Sequence, residues 1–241
     1  MSAEARRRAY LDALQIDVYT MRGAETDALI DVTVDLPDEA APDWESLRDK
    51  VSSCKRCSLH RTRTQTVFGV GNSAADWMIV GEAPGQEEDR RGEPFVGRAG
   101  KLLDEMLRSL GLDREIVFIA NILKCRPPNN RDPSAEEAAS CRNYLERQVD
   151  LVKPKVILAV GRIAAQHLLG TDATVGRMRG RLYELADRQI PVVVTYHPAY
   201  LLRSPTQKRK AWQDLVMARN LMRVRPGGSH RSRKYPSNCV P

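Results

Sequence analysis

The feature that most constrains the fold is an alternation. Four short apolar runs, residues 77–80, 116–120, 156–160 and 191–196, are rich in β-branched residues and separated by helical patterns. The runs are apolar almost throughout rather than every second residue, so each predicts a strand covered on both faces. Strands of that kind belong to a mostly parallel sheet with helices packed on either side. The expectation is an α/β fold, a three-layer α/β/α sandwich around a central four-stranded sheet. Among the intervening segments, 98–110 places Leu102, Leu103, Met106, Leu107 and Leu110 on one helical face, and Gly111 stops it. Ser134 opens the next helix, and Glu137 three positions on completes a capping box. A third helix is expected over 162–169. A fourth is expected over 207–222, with Trp212, Leu215 and Val216 inward.

Polar residues of catalytic type follow three of these strands. Gly81-Glu82-Ala83-Pro84-Gly85 comes after the first, Asn121 after the second and His197-Pro198 after the fourth. Open α/β sheets bind ligands beyond the carboxyl ends of their strands. A single polar residue there is ordinary turn chemistry. Three together, including a Glu and a His, mark a candidate site.

The cysteines point to a second centre. Cys54-Lys55-Arg56-Cys57 is a C-x2-C turn, Cys125 follows the second strand, and Cys141 lies on the helix opened by Ser134. Four thiolates suit zinc or an iron–sulfur cluster, and spacing alone does not choose between them. The alternative is a redox pair at Cys54 and Cys57 with two buried cysteines elsewhere. Cys239 makes five in all, and an odd count argues against a disulfide framework.

The net charge of +7 comes from 38 Lys and Arg against 31 Asp and Glu. Cations gather near the candidate loops: Lys55, Arg56, Arg61 and Arg63; Arg98; Lys124, Arg126 and Arg131; Arg203, Lys208, Arg209 and Lys210. On one rim they would suit a phosphate backbone; scattered, they are solvated surface. Residues 1–43 read as a partly disordered extension, 44–222 as the globular domain, and 223–241 as a basic disordered tail. No stretch approaches the roughly 18 apolar residues of a membrane span, and the N-terminus lacks a signal-peptide core. A cytoplasmic protein acting as a monomer, with no membrane partner, is the expectation.

The motifs in combination resemble family 4 uracil-DNA glycosylases. They are Gly81-Glu82-Ala83-Pro84-Gly85-Gln86-Glu87-Glu88-Asp89, Gly92-Glu93-Pro94-Phe95-Val96-Gly97-Arg98-Ala99-Gly100, Asn121-Ile122-Leu123-Lys124-Cys125-Arg126-Pro127-Pro128 and His197-Pro198-Ala199-Tyr200-Leu201-Leu202-Arg203. The resemblance implies removal of uracil from single- or double-stranded DNA without a dissociable cofactor. It also implies a structural 4Fe–4S cluster on Cys54, Cys57, Cys125 and Cys141. Phe95 would stack on the flipped base, Asn121 would read its edge, and His197 would stabilise the leaving group. Ala83 would contact the base through its backbone. Glu82 would position water or shape its loop. Arg98, Lys124, Arg126, Leu201, Leu202 and Arg203 would meet DNA, the leucines as a wedge. A related branch carries an inserted basic loop that bonds covalently to DNA; the short 127–134 segment here lacks it, so covalent trapping is not expected. The competing readings are a non-catalytic or polymerase-associated nucleic-acid-binding module on the same scaffold, and a metal-dependent hydrolase or redox protein.

Overall fold

A computed structural model describes residues 43–185 and 187–223. The expected extension, apart from its last residue, and the expected tail, apart from its first, lie outside the described residues, as does Cys239.

The first helix, α1 (Trp44–Ser52), is capped by the Asp43 carboxylate, which accepts from the Ser46 amide at 2.7 Å. The chain then enters β1 (Val70–Gly71) and β2 (Trp77–Gly81), followed by α2 (Gln86–Arg91) and α3 (Arg98–Arg108). Next come β3 (Phe118–Asn121), α4 (Ala135–Val152), β4 (Val156–Val160), α5 (Arg162–Leu169) and α6 (Val175–Met178). The remainder is β5 (Leu182–Leu185), β6 (Ile190–Thr195), α7 (Pro198–Arg203) and α8 (Lys208–Arg223). The capping box of α4 forms as its sequence predicts: Ser134 Oγ accepts from the Glu137 amide at 3.2 Å, and Glu137 returns a carboxylate oxygen to the Ser134 amide at 2.9 Å.

Among the described residues, six strands form one sheet in the order β1-β3-β2-β4-β6-β5. The four expected strands form the parallel centre, and β1 and β5 pair antiparallel at its two edges. Four strands is therefore corrected to six. The two missed edges carry no continuous apolar signal: β1 has two residues, and β5 alternates exposed and half-buried positions. The second central strand also starts later than expected. Ile116 is 45% exposed, and its amide is turned onto the Asp113 carboxylate at 3.0 Å.

Alternate residues of each central strand feed opposite cores. Met78, Val80, Phe118, Ala120, Ile157 and Ala159 pack under α1 and α4. Trp77, Ile79, Ile119, Val156, Leu158 and Val160 pack with Leu103 and Leu107 of α3 and Leu215 of α8. One expected helical face is only partly right: Leu215 is buried, Val216 is half-buried and Trp212 is exposed. The buried stripe of α8 is Ala211, Asp214, Leu215 and Ala218, and Trp212 is 42% exposed. Asp214 reads as a solvent residue but is buried, so the apolar face inferred without it is rotated.

The chain builds β3 on one side of β2 and then crosses to place β4 on the other. The connections diverge there, and a crevice opens beyond the carboxyl ends of the strands.

Candidate active site

Four chain segments meet at that crevice: the loop after β2, the end of β3, Gly161 after β4, and His197 after β6. Asn121 closes β3 and is buried. Its side-chain oxygen has no hydrogen-bond partner among the described residues. An orphaned buried acceptor costs about 1–3 kcal/mol, which a ligand donating a proton would recover. The space around it exists because residue 81 is glycine. A Cβ there would lie 2.4 Å from the Asn121 oxygen and 2.5 Å from the Phe95 ring.

Phe95 forms the wall and is held in a left-handed backbone conformation, φ 55°, unusual for a bulky residue. Its surroundings fix it from both sides. The Arg114 guanidinium donates to the carbonyls of Pro94 (3.1 Å) and Phe95, and is itself paired with Asp104 at 2.7 Å. The Glu88 carboxylate accepts from the amides of Val96 (3.0 Å), Gly97 (3.1 Å) and Gly85 (3.1 Å), so one side chain ties the loop after β2 to the Phe95 loop. Gly100 lets α3 pass against the Phe95 carbonyl, which a Cβ would overlap at 1.7 Å. Neither Glu88 nor Arg114 stood out as a site residue from sequence; Glu88 lay inside a quoted motif with no role attached.

His197 stacks beside Phe95, ring centroids 5.6 Å apart. The ring lies so close to the strand before α5 that a Cβ on Gly161 would meet its Cβ at 3.0 Å. Burial, reinforced by the nearby Arg203 charge and opposed by Glu88, lowers its pKa to about 4. The imidazole is therefore neutral at pH 7. Its Nδ1 accepts from the Ala199 amide at 3.1 Å, so the proton sits on Nε2.

Behind His197 lies a network that sequence reading missed. Asp214, fully enclosed, takes two bonds from Arg179 (2.9 and 3.1 Å) and one from Thr195 Oγ1 (3.0 Å). Thr195 ends β6, two residues before His197. Arg179 also lies over the Tyr196 ring, and Tyr196 packs against Tyr200 of α7. Only the fold brings these residues, distant in the chain, together.

Glu82 is half-buried at the mouth, with its pKa raised to about 7 by burial, then by the Asp132 charge, with Arg162 opposing. Arg162 and Asp132 form an ion pair at 2.5 Å between the loops after β3 and β4. Ala83 is half-buried beside Glu82.

Of the residues expected to meet DNA, Arg98, Leu202 and Arg203 are exposed and Arg126 is half-buried, bonded to Asn130 at 2.8 Å. Two expectations are corrected. Lys124 is 1% exposed, and its ammonium turns inward to the Asn121 carbonyl (2.8 Å) and Gln148 (2.6 Å). It offers no charge to a phosphate. Leu201 is 1% exposed and packs into the core under α7, so Leu202 alone of the pair is available as a wedge.

The cysteines gather at the other end of the loop after β3. Cys125 and Cys141 are buried, Cys54 and Cys57 partly so, and all four are free thiols. Burial raises the Cys125 pKa to about 11 and raises that of Cys141, and Cys57 bears electrostatically on both. Arg63 donates to Cys125 Sγ at 2.9 Å and to the Cys54 carbonyl at 2.9 Å. Among the described residues, no group of three or more side chains closes tightly enough to hold a single metal ion. The donor set nevertheless suits a larger thiolate-bound group, with the Arg63 guanidinium beside it to offset thiolate charge and the Lys124 nitrogen, its pKa lowered to about 7 by burial, bearing on Cys125 and Cys141. The two centres are tied together: the buried Asp89 carboxylate of α2 accepts from the amides of Thr64 (3.0 and 3.1 Å) and Gln65 (3.4 Å), just past Arg63.

Residues 68–216 match the family model of the uracil DNA glycosylase superfamily. The chain is 48% identical over 179 residues to a type-4 uracil-DNA glycosylase of Archaeoglobus fulgidus, covering 70% of this chain and 90% of that protein. It is 43% identical over 184 residues to a type-4 uracil-DNA glycosylase of Sulfurisphaera tokodaii (73% and 84%), and 41% identical over 182 residues to one of Thermotoga maritima (74% and 94%).

Proposed function

The chain belongs to the uracil DNA glycosylase superfamily, and from that membership we propose that it excises uracil from DNA in the manner of the type-4 enzymes, leaving free uracil and an abasic site. The observation that carries the reading is the buried, unpartnered oxygen of Asn121 beside the Phe95 ring. Uracil presents an N3–H donor next to its O4 acceptor. The Asn121 carbonyl accepts from N3 while its amide NH2 donates to O4. Cytosine presents the reverse order, an acceptor at N3 beside a donor at N4, and pairs only if the Asn121 amide turns over. Discrimination from such a two-bond contact is worth about 1–3 kcal/mol.

The base reaches this depth only after leaving the stack, and the Phe95 ring then supplies the surface it lies on. Scission of the C1′–N1 bond leaves the electron pair on uracil, largely at O2. The neutral His197 imidazole donates from Nε2 toward that oxygen, in a position already desolvated, where a hydrogen bond to developing charge is strongest. Water adds to C1′ and yields its proton to the Glu82 carboxylate, whose pKa of about 7 suits a base at neutral pH.

Cys54, Cys57, Cys125 and Cys141 would hold a 4Fe–4S cluster. Hydrolysis moves no electrons, so its contribution is to bind distant segments together. DNA, single- or double-stranded, is the macromolecular partner, with Arg98, Leu202 and Arg203 at the rim.

The test is direct. Full-length protein is incubated with a uracil-containing oligonucleotide without added metal or nucleotide, and abasic sites are cleaved with alkali. Strand cleavage confined to the uracil position is expected. Intact strands across a range of salt concentrations sink the reading.

A further inference from the structure

Trp212 is the exposed one of the chain's three tryptophans; Trp77 is buried, and Trp44 packs against Phe68 and Phe118. At 42% exposure it presents an open aromatic face to solvent. It stands four residues after Lys208 and three after Arg209, so each cation is a neighbour of the ring on the surface of α8. Both cations are exposed and neither forms an ion pair among the described residues. The first half of α8 is fixed to the crevice end of the sheet, because Asp214 bonds Thr195 and the Lys210 carbonyl accepts from Arg179 at 2.7 Å. The exposed Leu202 and Arg203 end α7 only a few residues upstream. Both features therefore belong to the end of the sheet at which the crevice opens.

We propose that Trp212, flanked by Lys208 and Arg209, is a second contact for the DNA strand, its indole stacking on an unpaired base outside the crevice. Two cations beside an unpaired aromatic face match the chemistry of a single strand, which offers phosphates at regular intervals and bases with free faces. A protein partner prefers an apolar surround, and here the exposed neighbours of the ring on its N-terminal side, Lys208 and Arg209, are cations. This inference rests on the glycosylase reading for the choice of DNA, and it would favour substrate whose bases near the uracil are unpaired.

The probe is a short single-stranded oligothymidylate, which contains no uracil, titrated into the full-length protein while tryptophan emission is followed. Quenching is expected in the wild type and is lost in Trp212→Ala, whose Kd rises about tenfold, the scale of one base–aromatic stack. Trp212→Phe restores most of the affinity, and Lys208→Gln and Arg209→Gln each lower the salt dependence by about one ion. With single-stranded uracil substrate, the Trp212→Ala loss falls on KM. Unchanged oligothymidylate affinity in Trp212→Ala overturns the proposal. Unchanged affinity accompanied by loss of self-association in sedimentation overturns it in favour of a contact between copies. A wild type that binds oligothymidylate as expected but excises no uracil leaves this surface standing and defeats the catalytic reading instead.

Discussion

Asn121 and Lys124 lie three residues apart at the end of β3, both buried, yet they belong to opposite kinds of region. The Asn121 side-chain oxygen has no partner, and its neighbours are similarly uneasy: Phe95 has a positive φ, His197 is desolvated below its usual pKa, and Glu82 is held above its own. Lys124 pays for its burial in charge, its pKa lowered to about 7, but every contact it needs is made: its nitrogen donates to the Asn121 carbonyl and Gln148, whose amide donates in turn to the Phe68 carbonyl at 2.8 Å. The cysteine corner beyond it is similarly braced by Arg63. Groups left unsatisfied await a ligand, whereas satisfied groups hold the chain. The crevice should therefore lose activity before stability, and the corner stability before chemistry.

The sharpest way to break that comparison is His197→Ala. Its excision rate should fall about a hundredfold to a thousandfold, as for loss of one donor to a developing anion, while the urea midpoint stays near that of the wild type. A comparable loss of stability would place His197 among the bracing residues. Asp214→Ala tests the boundary between the two regions, because it strips a buried pair that backs the histidine. The expected cost is about 3 kcal/mol, from the Arg179 charge left uncompensated, read from denaturant unfolding. Asp214→Asn, which keeps an acceptor for Thr195, should recover part of that stability.

For the corner, Cys125→Ser should lower the thermal midpoint by about 5–10 °C, roughly 2–3 kcal/mol for a domain of this size, with activity falling in step with the folded fraction. Full stability and activity in that variant would refute the bracing role of the corner. Loss of a visible absorption band on adding a strong iron chelator, with the same fall in midpoint, would separate iron–sulfur from zinc.

The smallest effect concerns pH. Glu82 is raised from 4.5 to about 7, so at neutral pH half its population lacks the carboxylate. The single-turnover rate should rise with pH up to about 7 and level off above it. Asp132→Asn removes a charge that raises this pKa and should move the rise to lower pH; Arg162→Gln should move it higher. The stability sign is opposite. The folded state holds the Glu82 proton more tightly than the unfolded chain, so its favourable contribution is full below about 4.5 and lost as pH rises through about 7. Glu82→Gln should therefore unfold later than the wild type at pH 8 while turning over more slowly.

The parallel centre of the sheet was legible because strands buried on both faces must be apolar at consecutive positions. The edge strands were not, since an edge needs only half that pattern. Glu82, Asn121 and His197 were legible as candidates because each follows a strand. Lys124 and Leu201 were misplaced by their company in the chain: each sits beside residues that do reach the surface, and neighbours in sequence share no face.

By itself, the sequence determined the layer architecture, the crevice end of the sheet and the candidates Glu82, Asn121 and His197, since these follow from hydrophobic period and from position relative to strand ends; Phe95 came only through the family resemblance. Only the tertiary structure decided which polar groups are satisfied. It paired Asp214 with Arg179 and Thr195, turned Lys124 inward, left the Asn121 oxygen open and put Trp212 at the surface. Those outcomes depend on contacts between distant segments, and the burial that shifts a pKa or orphans an acceptor exists only once the whole chain has closed around it.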